Sequence, residues 1–289
     1  MITYDPKAWI QVTFSREGTV MSRVLGRVLL IAGLAAVIWI VADQWSVAKD
    51  AFKPFKPLGH TLIGVALGLL IVFRNNCSYD RYWEGRKLWS VIINSSRNLT
   101  RAATSFVGDT RDLARLIAGF TLALKQHLRY NQDLTEVKAY VPLDIVEKAA
   151  ATANPPLYLA LQMSQWIKAR LRDGQLDSIM AESFDQLVRA MVDSAGGCER
   201  ILKTPIPFAY AVHIKQLLLI YLFTLPFALV TDMGWVSIPT AAIIAFGMLG
   251  IEEVGVEIED PFGDDPNDLP IETICSVIER DTKALAEAA

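Results

Sequence analysis

The sequence has few of the features that an enzyme or a disulfide-stabilised protein needs. Its three cysteines are few, odd in number and far apart, and no CxxC pair occurs, so no disulfide framework is indicated. It has no glycine-rich phosphate loop and no GxSxG motif. We therefore expect no enzyme, no metal centre and no cofactor. The three histidines are isolated and lack metal-ligand spacing: His60, His127 and His213.

The net charge is small, and charged residues and prolines are absent from one long stretch that begins at Leu58. A net charge of −3 gives no indication of nucleic-acid binding. No charged residue occurs in Leu58–Phe73, and no proline lies between Leu58 and Phe106. This predicts one helix that is apolar enough to enter a membrane and then continues into water. Hydrophobic residues make up 52% of the chain, above the roughly 45–50% typical of soluble domains.

The apolar runs predict an all-α membrane protein with four transmembrane helices and a cytosolic helical bundle. Two runs stand near the N-terminus and two follow residue 216, with Thr231–Gly234 as the short turn of the second pair. The plan has five parts: an amphipathic segment (1–23), a first transmembrane hairpin (24–73), a cytosolic helical domain (74–215), a second hairpin (216–251), and an acidic tail with a C-terminal helix (252–289).

The long middle segment shows helical periodicity and no long apolar run. Apolar residues recur at three- and four-residue intervals, as amphipathic helices require. Proline, glycine and asparagine clusters predict breaks at Asn131–Asp133, Pro142, Asn154–Pro156, Arg172–Gly174 and Pro205–Pro207. Basic residues near the span ends place this segment and both termini in the cytoplasm, with the loop 43–56 outside.

The second apolar run, Leu58–Phe73, carries two stripes. Leu62, Ala66 and Leu70 recur at every fourth position, and Gly64 and Gly68 form a GxxxG pattern. Such glycines let another backbone approach closely, although ordinary helix packing also explains them. If the aliphatic stripe faces an axis, a ring of these side chains forms a hydrophobic constriction that can gate by dewetting. One helix cannot enclose a pore, so this function requires a closed homo-oligomer.

The acidic segment Glu257–Asp268 allows two interpretations. Its carboxylates, among them Asp264, Asp265 and Asp268, could hold a hard cation such as calcium, although the spacing is not that of an EF-hand. Alternatively, the segment is a solvated acidic turn that pairs with basic residues.

Three segments of the chain resemble the bestrophins, in particular their bacterial branch. They read FRNNCSYDRYWEGRKLW (73–89), AGGCERILKTPIPFAYAVH (195–213) and EIEDPFGDDPNDL (257–269). The resemblance implies a homopentameric ion channel with one pore on the fivefold axis. It places Leu62, Ala66 and Leu70 in the neck, with Ala66 smaller than the family's usual residue.

The resemblance implies a second constriction after the RDG turn, at Ile179 or Met180. It also implies a multi-pass protein of the bacterial inner membrane whose partners are its own copies, the lipid bilayer and permeating monovalent ions. Pro266 and Asn267 interrupt the acidic stretch that binds calcium in animal members, so calcium activation is not expected. We predict a channel that favours Na⁺ and K⁺. The alternatives are an anion channel, as in animal bestrophins, and a non-conducting membrane scaffold.

Overall fold

All regular elements in the described part of the chain are helical. The computed structural model describes residues 5, 7–15, 17–45, 51–54 and 57–288. The helices are α1 (Trp9–Thr13), α2 (Met21–Gln44), α3 (Pro57–Val107), α4 (Arg111–Leu128), α5 (Leu143–Ala150), α6 (Pro155–Arg172), α7 (Ser178–Lys203), α8 (Phe208–Met233), α9 (Ser237–Glu257) and α10 (Ile271–Glu287), with 3₁₀ turns at Glu136–Ala139 and Gly234–Val236. The predicted outer loop 43–56 and the segment 1–23 lie partly outside the described residues.

The helices of the middle segment end where the breaks were predicted. The Asn154 side chain accepts a hydrogen bond from the Leu157 N–H, and Pro155 follows at a position where a helix needs no N–H donor. The Asp177 carboxylate accepts in the same way from the Met180 N–H and begins α7. Pro207 precedes α8 directly. These five predicted breaks are confirmed, whereas the break after Val107 was not predicted.

Helix α3 confirms the prediction of one continuous helix after Leu58. It begins at Pro57, and no later proline removes a backbone donor from it. Gly108 has a φ of +91°, which favours glycine and ends the helix.

The turn between α8 and α9 lies later than predicted. Thr231, Asp232 and Met233 remain helical, and the chain turns at Gly234–Val236. Gly234 has a φ of +53°, a conformation that residues with a side chain rarely adopt. The predicted turn at Thr231–Gly234 was wrong because the left-handed glycine, not the polar pair before it, sets the end of α8.

The chain forms two compact units. The first contains residues 1–81, 205–260 and 265–267. Within it α2, α8 and α9 pack against one another, and Leu67 and Ile71 of α3 belong to the same apolar core. By length and composition, three described helical stretches could cross a membrane: Met21–Gln44, Pro57–Val107 and Phe208–Glu257, the last containing the turn at Gly234.

The second unit contains residues 82–204, 261–264 and 268–289. Helix α4 packs against α6 and α10, and α6 against α7. Phe120, Ile117 and Leu124 of α4 are fully buried in this core. The units divide the chain after Arg81 and Thr204, whereas the predicted cytosolic domain spans residues 74–215.

Close packing at Gly119 gives a stability test. A Cβ at Gly119 would lie 2.5 Å from Cγ2 of Val141, a β-branched side chain with little freedom to move. A Cβ at Gly196, also helical, would meet no atom within 4 Å. We expect Gly119→Ala to cost about 1–3 kcal/mol through overpacking. Gly196→Ala should be neutral or stabilising because alanine favours the helix.

Thermal unfolding of the detergent-solubilised protein, followed by circular dichroism, measures both variants. A Tm for Gly119→Ala equal to that of the parent would contradict the packing described for α4.

Candidate functional site

One side of α3 packs within the first unit. Leu67 and Ile71 are buried there. The Tyr210 hydroxyl of α8 donates a hydrogen bond of 3.0 Å to the Leu70 carbonyl oxygen. A Cβ at Gly64 would lie 3.0 Å from the Tyr221 hydroxyl oxygen, so α8 approaches α3 closely at this glycine.

The opposite side of α3 is exposed along three parallel lines at seven-residue spacing. The first line contains Leu62, Leu69 and Asn76, the second contains Ala66, Phe73 and Asp80, and the third contains Leu58, Val65 and Val72. Seven residues make almost two helical turns, so each line runs nearly straight along the helix. Leu62, Leu69 and Phe73 are 65%, 56% and 55% exposed, which is unusual for large apolar residues that form a continuous face.

The predicted stripe lies partly on this exposed face. Leu62 and Ala66 are exposed, whereas Leu70 is half-buried against the core of the first unit. Gly68 has no atom within 4 Å of the position that a Cβ would occupy. The exposed positions of Leu69 and Phe73 on this face were not predicted from the sequence. Their seven-residue spacing from Leu62 and Ala66 was the available signal.

A buried ion-pair cluster stands directly after the uncharged part of α3. The Arg74 guanidinium donates to a Glu252 carboxylate oxygen at 2.9 Å and to a Glu259 carboxylate oxygen at 3.2 Å. It also donates to the Glu252 carbonyl oxygen at 3.2 Å. Arg74 and Glu252 are both 2% exposed. Buried charges are costly unless they are paired in this way, so the cluster fixes α3 against the end of α9.

Two neighbouring contacts extend the attachment of α3. The Asn75 amide donates to the Ile251 carbonyl oxygen at 3.0 Å, and the Arg81 Nε–H donates to the Glu259 carbonyl oxygen at 2.9 Å. From the sequence, Arg74 was expected only near the end of a span, and Glu252 and Glu253 were considered only as adjacent carboxylates. An arginine directly after one apolar run and an acidic pair directly after another was the signal for this cluster.

Two arginines of α2 neutralise further carboxylates of the same unit. Arg27 pairs with Glu253, and Arg23 pairs with Asp265 at 3.0 Å. These pairs are more exposed than the Arg74 cluster, so salt screens them more strongly.

The structure does not gather Asp264, Asp265 and Asp268 into a cation site. Asp264 pairs with Arg129 at 3.0 Å, Asp265 pairs with Arg23, and Asp268 is buried. Among the described residues, no group of three or more histidine, cysteine, aspartate or glutamate side chains could hold a metal ion. The contacts of Asp264 and Asp265 correspond to the alternative interpretation, in which the acidic segment pairs with basic residues.

Arg129 organises the start of that acidic segment within the second unit. It donates to the carbonyl oxygens of Phe262 and Gly263, at 3.2 and 3.0 Å, and also pairs with Glu272. The hydrogen bond from Arg129 lowers the pKa of the Glu272 carboxyl below its ordinary value and outweighs the opposing effect of burial.

The two candidates for the second constriction differ in exposure. Both lie in the first turn of α7, directly after the Asp177 cap. Ile179 is 78% exposed, whereas Met180 packs partly against the core of the second unit. Ile179 is therefore the more exposed of the two side chains.

Two of the three histidines make contacts within the chain, whereas His213 is exposed. His60 shares a hydrogen bond of 2.9 Å with the Thr224 hydroxyl. His127 lies 3.4 Å from a Glu199 carboxylate oxygen, and Glu199 also accepts from Asn154 and Lys203.

Comparison with known proteins gives matches over nearly the whole chain. The family model described as bacterial/fungal bestrophin protein matches residues 1–284. A voltage-dependent anion channel-forming protein of Nostoc sp. is 36% identical over 287 residues, which cover 96% of this chain and 92% of that protein. A protein of the same description from Synechocystis sp. is 36% identical over 292 residues, covering 98% and 93%.

The fold also matches solved structures. A crystal structure of a bacterial bestrophin homolog from Klebsiella pneumoniae superposes with a TM-score of 0.86. It is 27% identical in sequence, and the match covers 91% of this chain and 98% of that chain.

The Arg74 cluster predicts a strong asymmetry between two arginine substitutions. Arg74→Ala leaves Glu252 buried without its main partner, which should cost about 3–5 kcal/mol. Arg27→Ala removes a more exposed pair and should cost at most about 1 kcal/mol. The Tm in detergent measures both effects. Equal shifts for the two variants would contradict the role given to the buried cluster.

The Glu272 contact predicts a pH-dependent contribution to stability. Because the folded pKa of Glu272 is lowered, its contribution is complete above the ordinary pKa of about 4.3 and disappears as pH falls through the folded value. The Tm difference between the parent and Glu272→Gln should therefore be present at neutral pH and shrink below about pH 4. A difference that grows on acidification would refute this assignment.

Proposed function

The chain belongs to the bestrophin family, as its three segments predicted, and on that premise we propose that it forms a homopentameric membrane channel for monovalent ions. The bestrophins are ion channels and not enzymes, which agrees with the prediction that the chain has no catalytic function.

The observation that carries the proposal is the exposed, uncharged face of α3. An apolar face from Leu62 to Phe73 is unfavourable in water and has no packing partner within the described chain. Copies of the same helix around a closed symmetry axis would give this face partners and enclose a passage. The Arg74 cluster holds the helix by its other side, so its exposed face can line the axis.

The proposed membrane topology has four spans. They are α2, the uncharged part of α3, α8 and α9, with the turn at Gly234–Val236 joining the last two. The contacts of α8 with α9, and of α2 with both, support this bundle. We retain the inner membrane as the location, both termini in the cytoplasm and residues 74–215 as the cytosolic part. The basic residues near the span ends favour this orientation.

The proposed neck contains Leu62, Ala66 and Leu70. Leu62 supplies an apolar side chain that is 65% exposed, and Leu69 and Phe73 lie beside the stripe. Ala66 leaves a wide ring in the middle, so the barrier to water and ions rests on the leucine rings. For the second constriction we propose Ile179 rather than Met180, because its side chain is exposed.

The contacts of the acidic tail affect whether the proposed channel would favour cations or anions. The preference for Na⁺ and K⁺ predicted from the sequence rested partly on this tail. Glu252, Glu253 and Asp265 are paired with arginines, so these carboxylates add little net negative charge. The relatives are described as anion channel-forming proteins, which favours anions here as well.

Reconstitution in planar bilayers tests the function directly. Purified protein should give single-channel currents, and reversal potentials in asymmetric KCl should rank anions against cations. The particle mass in detergent should correspond to five copies. A monomer, or a correctly inserted pentamer without current, would instead support the membrane scaffold.

Neck substitutions test the assignment of the stripe. Leu62→Ala or Leu70→Ala should raise conductance or open probability because a smaller ring lowers the dewetting barrier. Ala66→Phe should reduce the current by filling the widest ring. Ile243→Ala, at a residue of α9 that is 71% exposed, controls for the loss of an exposed apolar side chain. If neck and control variants conduct alike, Leu62, Ala66 and Leu70 do not line the neck.

A further inference from the structure

The exposed face of α3 continues beyond the apolar residues and reaches a carboxylate. Asp80 follows Leu62 by eighteen positions, which at about 3.6 residues per turn is about five full turns. The two residues therefore lie on one line of the helix, and Asp80 also completes the line of Ala66 and Phe73. Both Asp80 and Asn76, one turn before it, are exposed.

Asp80 differs from the other carboxylates of the first unit near this end of α3. Glu252 and Glu259 are bound by Arg74, and Glu253 is bound by Arg27. The side chain of Arg81, the next residue, is directed to the Glu259 carbonyl oxygen. Asp80 forms no hydrogen bond or ion pair with any residue between 57 and 288. Its negative charge is thus not neutralised by any side chain in the described part of the chain.

We infer that Asp80 sets the balance between anions and cations in the passage; this inference rests on the proposed channel function. In a closed oligomer, each copy adds one unpaired carboxylate at the same height, directly after the apolar neck. A ring of like charges in a narrow aqueous passage raises the local concentration of cations and lowers that of anions. Asp80 therefore opposes the anion preference that the relatives' description favours.

Cys77 lies close to Asp80 on α3 and provides a site for chemical labelling near this carboxylate. Cys77, three residues earlier on α3, is exposed, whereas Cys198 and Cys275 are buried. Burial raises the pKa of the Cys198 and Cys275 thiols to about 12, which suppresses their thiolates at neutral pH. A water-soluble thiol reagent should thus modify one site per chain.

Reversal potentials measure the effect of the carboxylate. In an NaCl gradient, Asp80→Asn should raise the chloride-to-sodium permeability ratio severalfold relative to the parent, whatever the parent's own ratio. Asp80→Glu should keep the parent ratio because it keeps the charge. Asp144→Asn removes an exposed carboxylate from α5 and should leave the ratio unchanged. A conducting Asp80→Asn channel with the parent's ratio would overturn the inference but not the channel function.

Modification of Cys77 gives a second measurement that needs no change at Asp80. A positively charged methanethiosulfonate added to the parent channel should raise the chloride-to-sodium ratio, because each adduct places a cation beside Asp80. Cys77→Ser should not respond. Mass spectrometry confirms labelling, so complete labelling with an unchanged ratio would count against a passage along this face. Absence of current from the unmodified parent would instead contradict the proposed function itself.

Discussion

The buried cluster of Arg74 with Glu252 and Glu259 is the constraint on which the placement of α3 depends. Charges removed from water are tolerated only where their partners are fixed at bonding distance, so the cluster allows one register of α3 against the end of α9. That register decides which side of the uncharged segment is buried and which side, from Leu62 to Phe73, is left exposed. The candidate ion pathway is therefore a consequence of an electrostatic contact located just beyond it.

The local sequence was sufficient to predict most of the helix boundaries. The lack of proline after Leu58 predicted the continuity of α3, and Asn154, Pro155 and Asp177 acted as expected at helix starts. These signals act within a few residues, where backbone sterics and capping dominate. The turn at Gly234 was misplaced because a polar pair and a left-handed glycine stood side by side and only one of them ends a helix.

The candidate site was less predictable because its contacts join distant parts of the chain. Arg74 and Glu252 are separated by 178 positions, and nothing near either residue identifies the other as its partner. The acidic segment shows the same limit. Its composition suits a calcium site and an arginine-paired turn equally well, and only the positions of Arg23 and Arg129 distinguish them. Leu69 and Phe73 were missed because several every-fourth apolar stripes run along Leu58–Phe73, and only the packing of α3 decides which of them stays exposed.

The buried pair also restricts how the sequence can change over evolutionary time. A single substitution at Arg74 or Glu252 leaves its partner charged in a site without water, whereas apolar replacement of both removes the penalty. The two positions should therefore vary together among relatives, as either a charged pair or an apolar pair. The Arg27–Glu253 pair is less buried, so either residue can change alone at a lower cost. Arg74 and Glu252 should therefore show covariation across the family, and Arg27 and Glu253 should show almost none.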